Sequence, residues 1–286
     1  MKEKTKGLLV NLLLYIFAFA IGIIPFAIVD NILVACALLT LTATGVIFIV
    51  TCFYPDVSLY DPYWSVAPPV ILLCAMIKYS LWNANALLML AFVLIWSVRL
   101  TNNWANTYKG LGHEDWRYAM YREKTSKLVF FFINLFGLQY MPTILVYLGL
   151  VPAIFVIQRT EFNPLIFIGL AVMLTGVVLE FVSDRAIHRF LEENKGQRRS
   201  CNISIWKYSR HPNYLGELTF WTGIFLTFFL PIPSNWYYGL GFLLIIALFL
   251  FISIPMMEKH NLERRDDYEE YKKTTSVLIP LPNKKQ

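Results

Sequence analysis

The sequence is poor in charged residues, which excludes the water-exposed surface of an ordinary soluble protein. Only 15% of its 286 residues are charged, whereas 57% are hydrophobic and the mean hydropathy is +0.53. Soluble domains carry about 25% charged residues. The composition therefore predicts a protein that resides in a lipid bilayer.

Cysteine and histidine are also scarce, and neither forms a recognised ligand pattern. The four cysteines contain no CxxC pair, and three of them lie in or beside apolar runs, where cysteine behaves as a small apolar residue. The four histidines include neither H-E-x-x-H nor a pair spaced four residues apart. We therefore expect no disulfide framework and no metal site. A strand-based G-x-G-x-x-G fingerprint is also lacking, so a nicotinamide site would have to be built within a helical bundle.

Apolar segments are what the chain does contain, and eight of them approach the 20 or so residues that a membrane span needs. The fifth includes Gly137, Pro142 and Pro152, so it is either one kinked helix or a helix followed by a re-entrant piece. The predicted fold is an all-α, polytopic transmembrane helical bundle of about eight spans (7–8), in which residues 1–286 form a single membrane domain. The predicted spans are 8–28, 32–53, 66–81, 84–101, 128–156, 164–183, 214–231 and 236–255.

Basic residues lie almost entirely on one side of this arrangement. If all eight segments cross, only Lys78 and Arg159 fall near the outer side, and the remaining basic residues lie in or next to inner segments. Because basic loops favour the cytoplasm, both termini are predicted to be cytoplasmic. This orientation explains the net charge of +6 without a nucleic-acid partner. The expected setting is multi-pass in the membrane, the inner membrane if the protein is bacterial. The inner segments are 1–7, 54–65, 102–127, 184–213 and 256–286.

The densest group of polar residues is Tyr208-Ser-Arg-His-Pro-Asn-Tyr-Leu-Gly-Glu217, at the entrance to the seventh predicted span. Pro212 suits the first turn of a helix, so Arg210 and His211 would lie at a helix N-terminus, where phosphate is favoured. Glu217 would be a carboxylate inside a span, which is costly and usually functional. The alternative is a helix cap with a snorkelling arginine and an interfacial tyrosine.

This string resembles a motif of the steroid 5-alpha-reductase family, in particular its bacterial branch, where Ser-Arg-His-Pro-Asn-Tyr-x-Gly-Glu opens a late span. A related Arg-His-Pro-x-Tyr pattern occurs in the isoprenylcysteine carboxyl methyltransferases, which use S-adenosylmethionine in place of NADPH. The reductases are favoured by three motifs earlier in the chain, and the resemblance covers residues 61–282 but not the spans in 1–60. These motifs are Asp61-Pro-Tyr-Trp-Ser-Val-Ala-Pro68, Trp96-Ser-Val-Arg-Leu-Thr-Asn-Asn-Trp104 and Gly110-Leu-Gly-His-Glu-Asp-Trp-Arg-Tyr118.

The resemblance implies an NADPH-dependent reductase of a lipophilic enone or alkene, steroid-like or isoprenoid-like, acting on a CH–CH group within the membrane. The expected partners are that small molecule and the bilayer. An S-adenosylmethionine-dependent membrane methyltransferase is the main alternative. A transporter is the third, although no inverted repeat is visible.

Candidate site residues follow from the resemblance and from simple chemistry. Arginine pairs with phosphate in bidentate geometry, and a tyrosine–carboxylate pair tuned by burial can polarise a carbonyl. The candidate catalytic residues are Tyr60, Asp61 and Tyr63, which could equally form an Asp–Pro turn beside an interfacial tryptophan. The candidate NADPH-binding residues are Arg99, Arg117, Glu180, Asp184, Arg189, Arg210, His211, Asn213, Tyr214, Glu217 and Arg264.

Overall fold

The computed structural model describes residues 2–54 and 56–283, and the regular structure in these ranges is helical. The chain forms two compact units, Met1–Phe162 and Asn163–Gln286. The helices of the first unit are α1 (Lys2–Ile28), α2 (Ile32–Phe53), α3 (Tyr63–Lys78), α4 (Ala84–Thr107), α5 (Trp116–Lys124), α6 (Lys127–Phe132) and α7 (Met141–Ile157). Those of the second unit are α8 (Ile166–Glu193), α9 (Pro212–Phe229), α10 (Leu240–Leu248), α11 (Ile254–Arg264) and α12 (Tyr268–Thr274).

Irregular helical turns connect several of these elements. Tight 3₁₀ turns occupy Val57–Tyr60, Ser204–Lys207 and Pro233–Gly239. Wider π-helical segments join α6 to α7 and α10 to α11, at Ile133–Tyr140 and Phe249–Ser253. Because a π segment adds a residue without breaking the helix, α6 and α7 form one continuous run. The fifth predicted segment is therefore one continuous helix, without a re-entrant piece.

Within residues 2–54 and 56–283, six helical runs are long and apolar enough to cross a membrane, which confirms the all-helical membrane class. They are Glu3–Ile28, Ile32–Phe53, Ala84–Thr107, Lys127–Ile157, Ile166–Glu193 and Pro233–Arg264. Two further predicted spans form the shorter helices α3 and α9. With 16 residues, α3 reaches about 24 Å at ~1.5 Å per residue, less than the roughly 30 Å of a hydrocarbon core. The count of seven or eight spans and the cytoplasmic termini stay predictions.

Asparagine side chains cap the starts of α2 and α4. The Asn31 side chain accepts from the backbone N–H of Leu33 at 3.0 Å, at the start of α2. The Asn83 side chain accepts from the N–H of Ala86 at 3.0 Å, at the start of α4. These caps satisfy N–H groups that a helix leaves unpaired in its first turn.

Four glycines let α8 and α9 pack with their backbones in close contact. They are Gly169 and Gly176 on α8, and Gly216 and Gly223 on α9. A Cβ atom on Gly176 would lie 2.5 Å from the Phe220 nitrogen, and one on Gly223 would lie 2.5 Å from the Met173 nitrogen. Small residues at such crossings allow the close approach that stabilises helix pairs in membranes. The crossing also sets the start of α9 against α8, because a Cβ on Gly216 would lie 2.5 Å from Cγ of Glu180.

Candidate functional site

In the first unit, the loop before α3 is hydrogen-bonded to the segment that leads into α5. Oδ2 of Asp56 accepts from the N–H of Gly112 at 2.8 Å, and Oγ of Ser58 accepts from the N–H of Asp115 at 2.8 Å. Gly112 has a φ of +79°, a conformation that glycine adopts without the steric cost of a side chain. These bonds fix the loop that carries Asp61 relative to α5.

This arrangement places Asp61 against Tyr118, whose hydroxyl donates a short hydrogen bond to Oδ1 of the carboxyl group. Tyr118 is buried and Asp61 is half-buried. Burial raises the pKa of Asp61 to about 7, although the positive charge of Arg117 and the Tyr118 hydrogen bond act in the opposite direction. Arg117 is itself held by Asp115, with Nε and Oδ1 2.7 Å apart. Asp61 can therefore hold and release a proton near neutral pH.

The two tyrosines predicted beside Asp61 bond elsewhere. The hydroxyl of Tyr60 lies 2.6 Å from Oγ1 of Thr143, and that of Tyr63 lies 2.9 Å from Oγ1 of Thr40. Both tyrosines are buried, and their hydroxyls tie the start of α3 to α7 and α2. The tyrosine–carboxylate pair is formed with Tyr118 instead, which sequence reasoning did not single out. The sequence feature that could have identified Tyr118 is its position as the last residue of the Gly110–Tyr118 motif.

In the second unit, four side chains meet at the carboxylate of Glu258 on α11. Nε of Arg210 donates to Oε1 at 2.9 Å, and Nη2 donates to Oε2 at 3.1 Å. Nε2 of His211 lies 2.9 Å from Oε1, and the Tyr268 hydroxyl donates to the same oxygen at 2.8 Å. Nζ of Lys272 is more distant, at 3.9 Å. We call this group the Glu258 cluster. Sequence reasoning did not select Glu258, Tyr268 or Lys272 as site residues.

The guanidinium group of Arg210 is hydrogen-bonded within the protein and does not face solvent. Its Nη1 donates to the backbone oxygens of Lys272, at 2.9 Å, and of Thr275. Its backbone N–H also donates to the oxygen of Ser276 at 2.9 Å. All three guanidinium nitrogens thus bind α11 or the chain after it. The geometry favours a positioning role for Arg210 over direct contact with a phosphate.

The other predicted residues of the α9 motif are close to this cluster along the chain. The His211 ring stacks on the Tyr214 ring, with centroids 5.3 Å apart. Asn213 is half-buried in the first turn of α9. Glu217 is buried, and its Oε1 accepts from Nε1 of Trp221 at 3.0 Å. His211 and Tyr214 are therefore held together, whereas Glu217 bonds within its own helix.

The remaining predicted residues range from buried to fully exposed. Glu180 is 1% exposed on α8, and Asp184 is half-buried one turn later. Arg189 is exposed and pairs with Glu193 at 2.7 Å, and Arg264 is exposed with Nη1 3.3 Å from Nε2 of His260. Arg99 of the first unit is half-buried on α4.

The second unit has a donor set that suits phosphate groups. In the part of the chain that the structure describes, α9 starts at Pro212 without a side-chain cap. A helix start without a side-chain cap is a common setting for anion binding. Arginines with exposed side chains lie on α8, on α11 and in the loop after α8, namely Arg185, Arg189, Arg198, Arg199 and Arg264. Residues 2–54 and 56–283 contain no group of three or more His, Cys, Asp or Glu side chains that could hold a metal ion.

The six long apolar helices among the described residues indicate an integral membrane protein. A family described as "Protein of unknown function (DUF1295)" matches residues 47–275, and the chain belongs to that family. Steroid 5-alpha-reductase DET2 of Arabidopsis thaliana is 30% identical over 114 residues, which are 40% of this chain and 40% of that protein. The similarity therefore covers less than half of either protein. No solved structure matches the chain. A likeness to steroid 5-alpha-reductases is thus supported, whereas the bacterial branch stays a prediction.

Proposed function

We propose that the protein is an NADPH-dependent reductase of a lipophilic enone, steroid-like or isoprenoid-like, within the membrane. The Asp61–Tyr118 pair is the observation that carries this proposal. Reduction of a conjugated enone needs a proton donor at the carbonyl oxygen as well as a hydride at carbon. A half-buried carboxylic acid with a pKa of about 7 can supply that proton near neutral pH.

Asp61 and Tyr118 have separate roles in this proposal. The Tyr118 hydroxyl holds Oδ1, which leaves the other oxygen of protonated Asp61 to donate to the substrate carbonyl. As the double bond is reduced, the Asp61 proton passes to the carbonyl oxygen and gives an enol, which isomerises to the saturated ketone. Water then returns a proton to Asp61. NADPH would supply the hydride.

We assign nucleotide binding to the second unit because it contains hydrogen-bond donors that suit phosphate groups. The start of α9 and the exposed arginines suit the pyrophosphate and 2′-phosphate, since arginine pairs with phosphate in bidentate geometry. Asp184 and Asn213 would bind ribose or carboxamide groups. The Glu258 cluster would hold the start of α9 in place through Arg210 and His211. S-adenosylmethionine would offer these arginines no phosphate group to bind.

The acid pair is tested by turnover of model enones. Purified protein would be assayed for NADPH oxidation with progesterone and with an isoprenoid enone. We expect Asp61→Asn to lower the rate by about 100-fold or more, the scale of general acid catalysis. Wild-type activity should fall as the pH rises through about 7, because Asp61 then loses its proton.

Tyr121→Phe is the matched control, because it removes a tyrosine hydroxyl from the same helix without touching Asp61. It should retain the wild-type rate, whereas Tyr118→Phe should shift the pH profile. An Asp61→Asn variant as active as the wild type would exclude Asp61 as the acid. A wild-type protein inactive on both enones would exclude this substrate class.

A further inference from the structure

A salt bridge in the first unit connects the loop before α3 to α5. Nη2 of Arg122 donates to Oε1 of Glu114 at 2.7 Å, and Nε donates to Oε2 at 3.1 Å. Oε1 also accepts from the backbone N–H of Val57 at 3.1 Å. A bidentate arginine–carboxylate pair fixes orientation as well as distance. Glu114 therefore holds the Arg122 guanidinium and the Val57 backbone in one geometry.

The bond to Val57 acts on the turn that leads to Asp61. Val57 begins the 3₁₀ turn Val57–Tyr60, which Asp61 follows directly. The backbone N–H of Asp61 donates to the oxygen of Ser58 at 3.1 Å, so Asp61 belongs to the same hydrogen-bonded turn. Because the turn is tight and short, a displacement of Val57 would displace the Asp61 carboxyl group as well.

The Arg122 side of the salt bridge acts on the surroundings of Tyr118. Val57, Tyr118 and Phe130 form a buried apolar cluster. Tyr118 and Arg122 are four residues apart on α5, so they lie on the same face of the helix. Cζ of Arg122 lies over the Phe130 ring, 4.3 Å from its centroid, in the arrangement of a cation–π contact. Arg122 therefore supports the cluster that contains the Tyr118 ring.

The salt bridge is shielded enough to hold this geometry. The side chains of Glu114 and Arg122 are 13% and 36% exposed, whereas ion pairs contribute little to stability when both partners are in water. Without the Glu114 carboxylate, Arg122 would lose its bidentate partner and the Val57 N–H would lose its acceptor. The turn before Asp61 and the cluster around Tyr118 would then loosen together.

We propose that Glu114 is a positioning residue of the Asp61–Tyr118 pair. Together with Arg122, it holds the turn and the apolar cluster so that the Tyr118 hydroxyl reaches Oδ1 of Asp61. The inference rests on the proposed acid role of Asp61, and it adds that the acid pair forms only when the salt bridge is in place. It is measured without turnover, through the hydrogen bond itself.

The measurement is the infrared C=O band of protonated Asp61. Full-length protein in lipid vesicles would be recorded as a difference spectrum between two pH values on either side of the pKa of Asp61, which is about 7. Loss of the band in Asp61→Asn identifies it. Because the C=O stretch rises in frequency when its oxygen loses a hydrogen bond, the band should rise in Tyr118→Phe, which calibrates the shift.

Two substitutions break the salt bridge from opposite sides. We expect Glu114→Ala and Arg122→Gln to raise the frequency of the Asp61 band by an amount comparable to that in Tyr118→Phe. They alter the local charge in opposite directions, so a rise in both reports the lost hydrogen bond and not the altered charge. Glu123→Ala is the matched control, because it removes a carboxylate from an exposed position of α5 and should leave the band unchanged. If Glu114→Ala does not fold, Glu114→Gln, which keeps the volume but cannot form the bidentate pair, should give the same rise.

The outcomes separate this inference from the proposed function. A wild-type band in either salt-bridge variant, shifts of opposite sign, or an equal rise in Glu123→Ala would overturn the positioning role. Absence of an Asp61 band from the wild type would overturn both the positioning role and the proposed acid. A protein that shows the expected shifts but reduces no enone would retain the positioning role and lose the reductase assignment.

Discussion

The Glu258 cluster yields a prediction about stability, in which Glu258→Gln removes one charge and little volume. In the wild type, the carboxylate accepts from both Nε and Nη2 of Arg210, from Tyr268, and contacts His211. The side chains of Arg210 and His211 are only 5% and 4% exposed. A glutamine keeps one acceptor oxygen but turns N–H donors toward other donors, so Arg210 becomes a buried cation without a counter-charge.

Removing one partner of a buried pair costs about 3–5 kcal/mol. Because the glutamine oxygen retains part of the hydrogen bonding, we expect about 3 kcal/mol for Glu258→Gln. This loss should lower the apparent Tm in detergent by roughly 10 °C. The melting temperature would be followed by tryptophan fluorescence, since Trp206 and Trp221 lie in the same unit.

Glu263→Gln is the matched control, because Glu263 lies on the same helix with an exposed side chain. It should change the free energy of unfolding by less than about 0.5 kcal/mol. A double variant, Arg210→Met with Glu258→Met, removes both charges and should recover part of the loss. A Glu258→Gln protein as stable as Glu263→Gln would refute the role assigned to the cluster.

Three further predictions concern the fold around the candidate sites. The pKa of Asp61 is higher in the folded protein than its usual 3.8, so the free energy of unfolding should fall as the pH rises from about 4 to 7. In urea titrations, Asp61→Asn should remove roughly 1–2 kcal/mol of that pH dependence. The same pH dependence in the wild type and in Asp61→Asn would contradict this prediction. Gly176→Ala should cost about 2 kcal/mol or more by pushing apart α8 and α9, and an unchanged Tm would show that the helices are not in close contact. Gly112→Ala should cost about 1 kcal/mol because of its positive φ, whereas Gly137→Ala, with no described atom within 4 Å of an added Cβ, should cause no loss of stability in the same assay.

Hydropathy predicted the helical class well because an apolar run of about 20 residues can satisfy its own backbone hydrogen bonds in lipid only as a helix. Predicted boundaries such as 32–53 agree with α2 (Ile32–Phe53), where Asn31 also provides a cap. The π segment Ile133–Tyr140 was not predicted, since an added residue within a turn has no clear sequence signal.

The candidate sites were predicted in part. Asp61 was identified because a tyrosine–carboxylate pair can act as an acid, and Arg210 and His211 because they precede a predicted helix start within a motif that resembles the reductases. Their partners Tyr118 and Glu258 were not, since each lies about 50 residues away along the chain and only the fold brings them together. Local spacing suggested Tyr60 and Tyr63 as partners of Asp61, but the 3₁₀ turn Val57–Tyr60 and the start of α3 direct both tyrosines to threonines.

The central claim is that the protein binds NADPH, and a titration of the purified wild type tests it most directly. Thermal stability would be followed with NADPH, NADH and S-adenosylmethionine under identical conditions. At 100 times its dissociation constant, a ligand that binds only the folded state adds about 2.7 kcal/mol to stability. We predict saturable stabilisation by NADPH, weaker stabilisation by NADH, which lacks the 2′-phosphate, and none by S-adenosylmethionine. Stabilisation by S-adenosylmethionine but not by NADPH would contradict the reductase assignment and favour a methyltransferase.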